Sequence, residues 1–272
     1  VGRLIRLFQT KPIFMHNIKK SLQNGDTVVG SWINTCSPVV AELMAMTGFD
    51  FLCVDVEHSA ADLPQTQQLF QAIRSGNPEC APIVRLHGVD YALVKRYLDA
   101  GARGVVAPLV RRREEAELLV EATKYAPMGL RGVGFCRANQ YGMNLPEECA
   151  RANDEILLAV QIEHIDAVHN IDQILSVEGI DAVFIGPYDL TASMGITAQF
   201  EHKDYLAARD AILEACQTHN VAPGLHVVPP EPEQVIARQA DGYRFIAYSL
   251  DITMLTTHCR GALDHIRSNL DV

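Results

Sequence analysis

Short apolar segments alternate with helical patterns along most of the chain. The apolar segments are rich in β-branched residues and too short for helices, which is typical of parallel strands buried on both faces. These strands are predicted at residues 28–34, 51–56, 83–86, 104–108, 156–162, 182–185, 224–228 and 245–248. Apolar residues at helical spacing predict helices at residues 38–47, 63–74, 91–100, 114–125, 165–177, 205–219, 232–240 and 254–268.

Eight strand–helix repeats predict a single-domain (β/α)₈ barrel, the TIM-barrel architecture. Helix signals agree with the repeat, since Pro38 follows the capping residue Ser37. A doubly wound open sheet is the main alternative for such an alternation. No G-x-G-x-x-G follows the first strand, so the sequence favours the barrel over a dinucleotide-binding sheet.

Two segments lie outside the repeat. Residues 1–26 are predicted to be an N-terminal extension, in which Leu4, Ile5, Leu7 and Phe8 form a short amphipathic turn, and residues 27–272 are predicted to be the barrel domain. Residues 127–155 form a glycine-rich stretch followed by a polar helix. Because long insertions in compact domains are usually functional or interfacial, we expect this one to pack on a neighbouring subunit.

Composition and charge exclude several classes of protein. The net charge of −10 argues against binding to nucleic acid or to an anionic membrane surface. No apolar run is long enough to span a bilayer. The seven cysteines are scattered, odd in number and without a C-x-x-C pair, which is typical of reduced thiols in the cytoplasm.

Polar and charged residues collect at the carboxyl ends of the predicted strands. In barrel enzymes those ends form the active site, and a packed core has no use for unpaired charges there. In chain order they are Trp32, Asn34, Asp55, Glu57, His58, Arg85, His87, Gln161, Glu163, Asp189, His226 and Asp251.

Glu163 and Asp189 follow consecutive strands and are therefore expected side by side at one mouth of the barrel. Hard divalent cations favour one or two protein carboxylates, with water and substrate in the remaining positions. The two residues are therefore candidate metal ligands. The alternative is a hydrogen-bonded pair that closes the barrel, or ionic partners of Arg85.

Four further residues are candidates for catalysis or substrate binding. His58 is a candidate base, because histidine titrates near neutrality, and Asp55 would orient or polarise it. Arg85 lies within an apolar strand and needs an anion, either a substrate carboxylate or a structural carboxylate. His226 is either a rim residue or a substrate contact.

Seven motifs occur in the order found in the HpcH/HpaI aldolase family, and the chain resembles that family over residues 20–268. They are Gly30-Ser-Trp32, Asp55-x-Glu57-His58, Val84-Arg85, Leu98-Asp99-x-Gly101-Ala102, Gly129-x-Arg131-Gly-Val-Gly134, Gln161-x-Glu163 and Gly186-Pro-x-Asp189-Leu190. The members are metal-dependent (class II) pyruvate aldolases. The resemblance implies a (β/α)₈ barrel whose last helix is exchanged between subunits, in dimer-based assemblies that extend to hexamers.

The resemblance also implies an activity and roles for individual residues. The activity is reversible cleavage of a 4-hydroxy-2-oxo acid to pyruvate and an aldehyde through a metal-stabilised enolate. Glu163 and Asp189 resemble the ligands of Mg²⁺ or Mn²⁺, with Co²⁺ or Zn²⁺ as alternatives. His58 resembles the base that acts with Asp55, and Arg85 the residue that binds the 2-oxo acid. The remaining implied roles are substrate contact by Gln161 and the backbone at Tyr188, and support of the histidine by Asp99 from a second subunit. From their positions at the predicted strand ends, Trp32, Asp189 and His226 are also expected to contact substrate.

Other functions stay open at this point. The same site would serve oxaloacetate decarboxylation or a citrate-lyase-like cleavage of a CoA thioester. A catalytically silent assembly protein is the alternative from a different class. No lysine stands at a predicted strand end, so an aldolase that forms a Schiff base is not expected. Tyr188 and His226 depart from the family pattern, which leaves the aldehyde open.

Overall fold

Eight parallel strands close into a barrel in the computed structural model, which describes residues 17–270. Each strand pairs with the next along the chain, and the eighth pairs with the first. The strands are β1 (Val28–Ile33), β2 (Phe51–Asp55), β3 (Ala81–Arg85), β4 (Gly104–Ala107), β5 (Leu157–Ile162), β6 (Ala182–Ile185), β7 (Ala222–Val227) and β8 (Phe245–Leu250). The predicted (β/α)₈ barrel is therefore confirmed, and every predicted strand overlaps an observed one.

Helices surround the barrel. They are α1 (Ile18–Gln23), α2 (Pro38–Met46), α3 (Leu63–Gly76), α4 (Tyr91–Asp99), α5 (Arg113–Thr123), α6 (Leu145–Glu155), α7 (Ile165–His169), α8 (Ile171–Leu175), α9 (Pro187–Ser193), α10 (Lys203–His219), α11 (Pro232–Ala240) and α12 (Asp251–Asn269). The prediction of a single helix over residues 165–177 was wrong, because Asn170 separates α7 from α8. Its φ and ψ of −103° and 9° are not helical, and its side-chain amide donates to the Arg111 carbonyl at 2.9 Å.

An aromatic column fills the barrel interior and rises towards the carboxyl ends of the strands. Phe51 packs on Phe245 at 4.7 Å between ring centroids, Phe245 on Phe184 at 5.6 Å, and Phe184 on Trp32 at 5.5 Å. Gly30 makes room for the column, since a Cβ there would lie 2.4 Å from the Phe51 ring. Trp32 is the top of this column and the floor of the polar mouth above it.

The opposite end of the barrel is closed by α1, within the segment assigned to the N-terminal extension. Its Ile18 and Leu22 are buried against the barrel interior. Lys19 forms an ion pair with Asp181 at 3.1 Å, and the fully buried Lys124 donates to the carbonyls of Asn153 and Ile156. The amphipathic turn predicted from Leu4 to Phe8 lies outside the described residues.

Helix α12 leaves the barrel and exposes an apolar stripe. Ile252, Leu255, Leu263, Ile266 and Leu270 recur at spacings of three, four or eight residues, and all are more than 40% exposed. Such a stripe normally packs on another surface. Within residues 17–270, no helix has the length and apolar character needed to cross a bilayer.

Candidate active site

Arg85 and Asp55 form a buried ion pair where β2 and β3 end. The strand register places them side by side, and Arg85 donates twice to Asp55, through Nε to Oδ1 at 2.9 Å and through Nη2 to Oδ2 at 2.6 Å. Asn34 also donates to Asp55 Oδ2, at 2.8 Å. Burial alone would raise the pKa of Asp55, but the hydrogen bonds from Arg85 and Asn34 outweigh it and hold the pKa below its ordinary value.

Asp55 also holds the loop that carries the candidate base. Its Oδ1 accepts from the backbone amides of Glu57 and His58 at 3.0 and 3.2 Å. The imidazole of His58 lies 63% exposed, and the carboxylate beside it is that of Glu57, with 3.8 Å between Nε2 and Oε2. Burial raises the pKa of Glu57. The carboxylate of Asp55 thus binds Arg85 and the backbone of the loop, whereas the carboxylate of Glu57 lies next to the imidazole of His58.

Glu163 is a buried carboxylate just beyond β5. Its Oε1 accepts from the amide of Leu109 at 2.7 Å, and its Oε2 accepts from the side-chain amide of Gln161. Burial raises the pKa of Glu163, and the nearby carboxylates of Glu57 and Asp189 raise it further. Gly186 lies so close that a Cβ there would be 2.8 Å from Glu163 Cβ and 2.9 Å from Oε2.

Asp189 lies in the first turn of α9, directly after β6, and is exposed at the mouth. It is near enough to Glu163 and Glu57 to raise the pKa of both carboxyls. Within residues 17–270, neither Glu163 nor Asp189 has an ion-pair partner. The two residues predicted to bind a metal therefore lie near one another at the mouth.

A divalent cation fits this group of carboxylates. Their mutual repulsion is the kind that a bound cation relieves, and their oxygens are the donors that Mg²⁺ and Mn²⁺ prefer. Glycine at position 186 lets the backbone approach Glu163 closely, since any side chain there would overlap the carboxylate. In the described part of the chain, no three or more acidic, histidine or cysteine side chains gather into a closed metal cage. Two carboxylates leave positions for water and substrate.

A cavity of about 100 Å³ opens beside these groups. It is lined by Trp32, Arg85, Gln161, Phe184, Ile185, Gly186, Pro187, Tyr188, Asp189, His226 and Val228. Arg85 stands over the indole of Trp32, with 4.5 Å from Cζ to the ring centroid. Trp32 Nε1 and Gln161 Oε1 are buried and have no hydrogen-bond partner among residues 17–270, so both are available to a bound molecule. All six residues predicted to contact substrate line this cavity.

Asp99 is the one predicted site residue that lies apart. It is the last residue of α4, and the C-terminal ends of barrel helices lie at the face opposite the mouth. Arg131, whose side chain is buried, donates to Asp99 at 2.8 Å. Within one subunit Asp99 therefore does not meet His58.

Two residues of the site were missed as functional candidates. Glu57 and Asn34 were recognised only as polar strand-end residues, although Glu57 neighbours the imidazole and Asn34 binds Asp55. Asp251 has a structural role, because its carboxylate accepts from the backbone amides of Asn34 and Thr35 at 3.0 and 2.9 Å. Register and side-chain direction decide these roles, and neither is visible in a strand-end pattern.

Known proteins are similar to this chain in sequence and architecture. The family model described as HpcH/HpaI aldolase/citrate lyase matches residues 29–257. The 4-hydroxy-2-oxo-heptane-1,7-dioate aldolase of Klebsiella pneumoniae is 38% identical over 246 residues, which cover 90% of this chain and 90% of that protein. The hydroxypyruvate/pyruvate aldolase of Deinococcus radiodurans is 37% identical over 248 residues, with coverage of 90% and 87%.

A solved structure has the same architecture as this chain. The HpcH/HpaI aldolase/citrate lyase family protein of Burkholderia cenocepacia J2315 superposes with a TM-score of 0.87 at 32% identity, covering 93% of this chain and 100% of that one. The expectation of a carbon–carbon lyase is confirmed by these relatives. The family model and the relatives match nearly the whole barrel, including the segments that carry the residues of the mouth. The chain therefore belongs to the HpcH/HpaI aldolase/citrate lyase family.

Proposed function

We propose that this enzyme is a divalent-metal-dependent aldolase that reversibly cleaves a 4-hydroxy-2-oxo acid to pyruvate and an aldehyde. The observation that carries the proposal is the proximity of Glu163 to Asp189, which lines a cavity together with Arg85. The names of the Klebsiella and Deinococcus relatives describe aldolases of this kind.

Glu163 and Asp189 would hold Mg²⁺ or Mn²⁺ at the mouth. When bound there, the cation supplies Lewis acidity to the 2-oxo group of the substrate. Glu163 is preorganised for this role, because the Leu109 amide and Gln161 fix both of its oxygens. Asp189 stays exposed, so it has freedom to adjust to the cation and its water.

Arg85 would stabilise negative charge on the substrate. During cleavage the electron pair of the C3–C4 bond moves towards the 2-oxo group, and a fixed guanidinium beside that group lowers the barrier. Asp55 and Asn34 keep Arg85 in place, and the Trp32 ring supports its face. These contacts remove the need to reorganise the guanidinium during the reaction.

His58 would accept the proton of the 4-hydroxyl group. The imidazole is exposed at the mouth, where it can approach a bound substrate, and Asp55 fixes its loop by accepting from the His58 backbone amide. Because Asp99 lies at the other end of the barrel, we propose that it acts on the histidine of a second subunit. Arg131 would hold Asp99 in the orientation for that contact.

We further propose a cytoplasmic homo-oligomer built from dimers, in which α12 packs on another subunit. The exposed stripe of α12 supports this assembly, as do the exposed Phe135 and Met143 of the glycine-rich insertion. All seven cysteines are unpaired, which agrees with a reducing compartment.

Exchange of the pyruvate C3 protons in D₂O tests the proposal directly. Metal-stripped enzyme should show no exchange by NMR, and added Mg²⁺ or Mn²⁺ should restore it. Glu163→Gln should abolish the metal-dependent exchange, because it removes one charged ligand with little change of shape. Glu178→Gln is the matched control, since Glu178 is exposed and precedes β6 at the opposite face. Absence of exchange with every metal would refute pyruvate as the nucleophile.

A further inference from the structure

His226 is fixed at the end of β7 by its Nε2 edge. Nε2 lies 3.0 Å from the carbonyl oxygen of Ser249, and the ring packs on Trp32 with 5.7 Å between centroids. The Ser249 carbonyl is itself held in place, because the buried Ser249 hydroxyl donates to the Val228 carbonyl at 2.9 Å. The imidazole therefore has one defined orientation beside the cavity.

The contact with Ser249 also fixes the tautomer of His226. A carbonyl oxygen only accepts hydrogen bonds, so Nε2 carries the hydrogen. Burial lowers the pKa of His226 to about 4, so the ring is neutral at physiological pH and Nδ1 bears a lone pair. No hydrogen bond to Nδ1 occurs within residues 17–270. His226 lines the cavity together with Trp32 and Arg85, and its Nε2 edge is turned to β8, which leaves the Nδ1 edge for a ligand.

A neutral acceptor at this point selects between substrate groups. A carboxylate offers only lone pairs at neutral pH, so it would face another lone pair at Nδ1 and lose its solvation without compensation. A hydroxyl group donates a hydrogen bond to the same atom. An acidic tail, which a charged histidine would attract, is therefore disfavoured here.

We propose that His226 is a specificity residue whose Nδ1 accepts a hydrogen bond from a substrate hydroxyl, so that the enzyme prefers hydroxylated substrates to their deoxy analogues and to carboxylate-tailed ones. The inference rests on the proposed aldolase function and names the substrate class of that site. The hydroxyl has two possible sources. It stands either on C3 of the 2-oxo acid, as in hydroxypyruvate, or on the aldehyde, as in glycolaldehyde.

Three ratios of kcat/KM, in two arms, test the proposal. The first arm compares hydroxypyruvate with pyruvate, each with acetaldehyde. The second arm compares glycolaldehyde with acetaldehyde and with succinic semialdehyde, each with pyruvate. The wild-type enzyme should prefer the hydroxylated partner by about 10-fold in one of the two arms, which identifies the source of the hydroxyl. No preference in either arm overturns the inference.

Two substitutions then assign the preference to Nδ1. His226→Gln keeps a donor near the Nε2 position for Ser249 but has no acceptor at the Nδ1 position, so the preference should fall about 10-fold. His226→Asn presents its carbonyl oxygen at the Nδ1 position and should retain most of the preference. Unchanged ratios in His226→Gln refute the role of His226, whereas a wild-type enzyme without metal-dependent pyruvate exchange would refute the aldolase function itself.

Discussion

Gly186 is the residue whose replacement should most specifically disturb the metal site. Its φ of −98° is open to any residue, so Gly186→Ala introduces no backbone strain. The added methyl carbon would instead lie 2.8 Å from Glu163 Cβ and 2.9 Å from Glu163 Oε2, whereas ordinary contact begins at 3.4 Å. The carboxylate must therefore move by roughly half an ångström to relieve the overlap.

That movement has a predictable consequence for metal binding. Glu163 is held by the Leu109 amide at 2.7 Å and by Gln161, so a shift lengthens both hydrogen bonds. Disturbing the partners that orient a metal ligand typically weakens metal affinity by about 10- to 100-fold. We expect a loss of this size for Mn²⁺, together with a stability loss of about 1–3 kcal/mol from overpacking.

Mn²⁺ titration of metal-stripped protein, followed by electron paramagnetic resonance, measures the affinity directly. Gly88→Ala is the matched control, because Gly88 follows β3 at the same mouth and a Cβ there has no neighbour within 4 Å. Its affinity should stay within about 2-fold of the wild type, a change worth less than 0.5 kcal/mol. Wild-type affinity in folded Gly186→Ala would contradict the placement of the metal beside Glu163.

Three further predictions concern other parts of the molecule. His58→Ala should lower the rate of aldol cleavage by about 10²- to 10⁴-fold but preserve oxaloacetate decarboxylation, because decarboxylation needs no base for a 4-hydroxyl group. An equal loss of both activities in steady-state assays would contradict the role of His58 as that base. Leu255→Asp on the α12 stripe should shift the assembly to smaller species in light scattering, whereas Thr257→Asp on the opposite face of α12 should not. Burial lowers the pKa of Lys124 to about 7, so above that pH the unfolded state binds a proton that the folded state lacks. The free energy of unfolding should therefore rise from pH 7 towards the ordinary lysine pKa of 10.5, by up to about 1.4 kcal/mol per pH unit. Denaturant titrations at several pH values should show this rise in the wild type and in the control variant Lys20→Met, whose lysine is exposed, but not in Lys124→Met.

The sequence was sufficient for the barrel and for the location of its mouth. Strands buried on both faces are continuous apolar runs, so they are visible without knowledge of their partners. Parallel strands then bring their carboxyl ends to one side, which is why Glu163, Asp189 and Arg85 were expected together. The break at Asn170 was not visible, because it depends on a hydrogen bond to Arg111, a residue of the preceding repeat.

The detailed roles at the mouth were less accessible. Asp55 was expected to act with His58; the register of β2 and β3 places its carboxylate beside Arg85, and its Oδ1 also accepts from the backbone amide of His58. Glu57 consequently becomes the neighbour of the imidazole. The charge of His226 was equally hidden, since it follows from burial against Trp32 and from a carbonyl on the adjacent strand.

The balance of charge at the mouth links metal binding to substrate binding. Asp55 already neutralises Arg85, and Glu57 lies only 3.4 Å from the same guanidinium. Glu57, Glu163 and Asp189 therefore give the barrel mouth an excess of negative charge, and a 2-oxo acid adds another carboxylate. A divalent cation held by Glu163 and Asp189 would reverse that repulsion. Each ligand should then strengthen the affinity for the other by the same factor, because coupling between two binding sites is reciprocal.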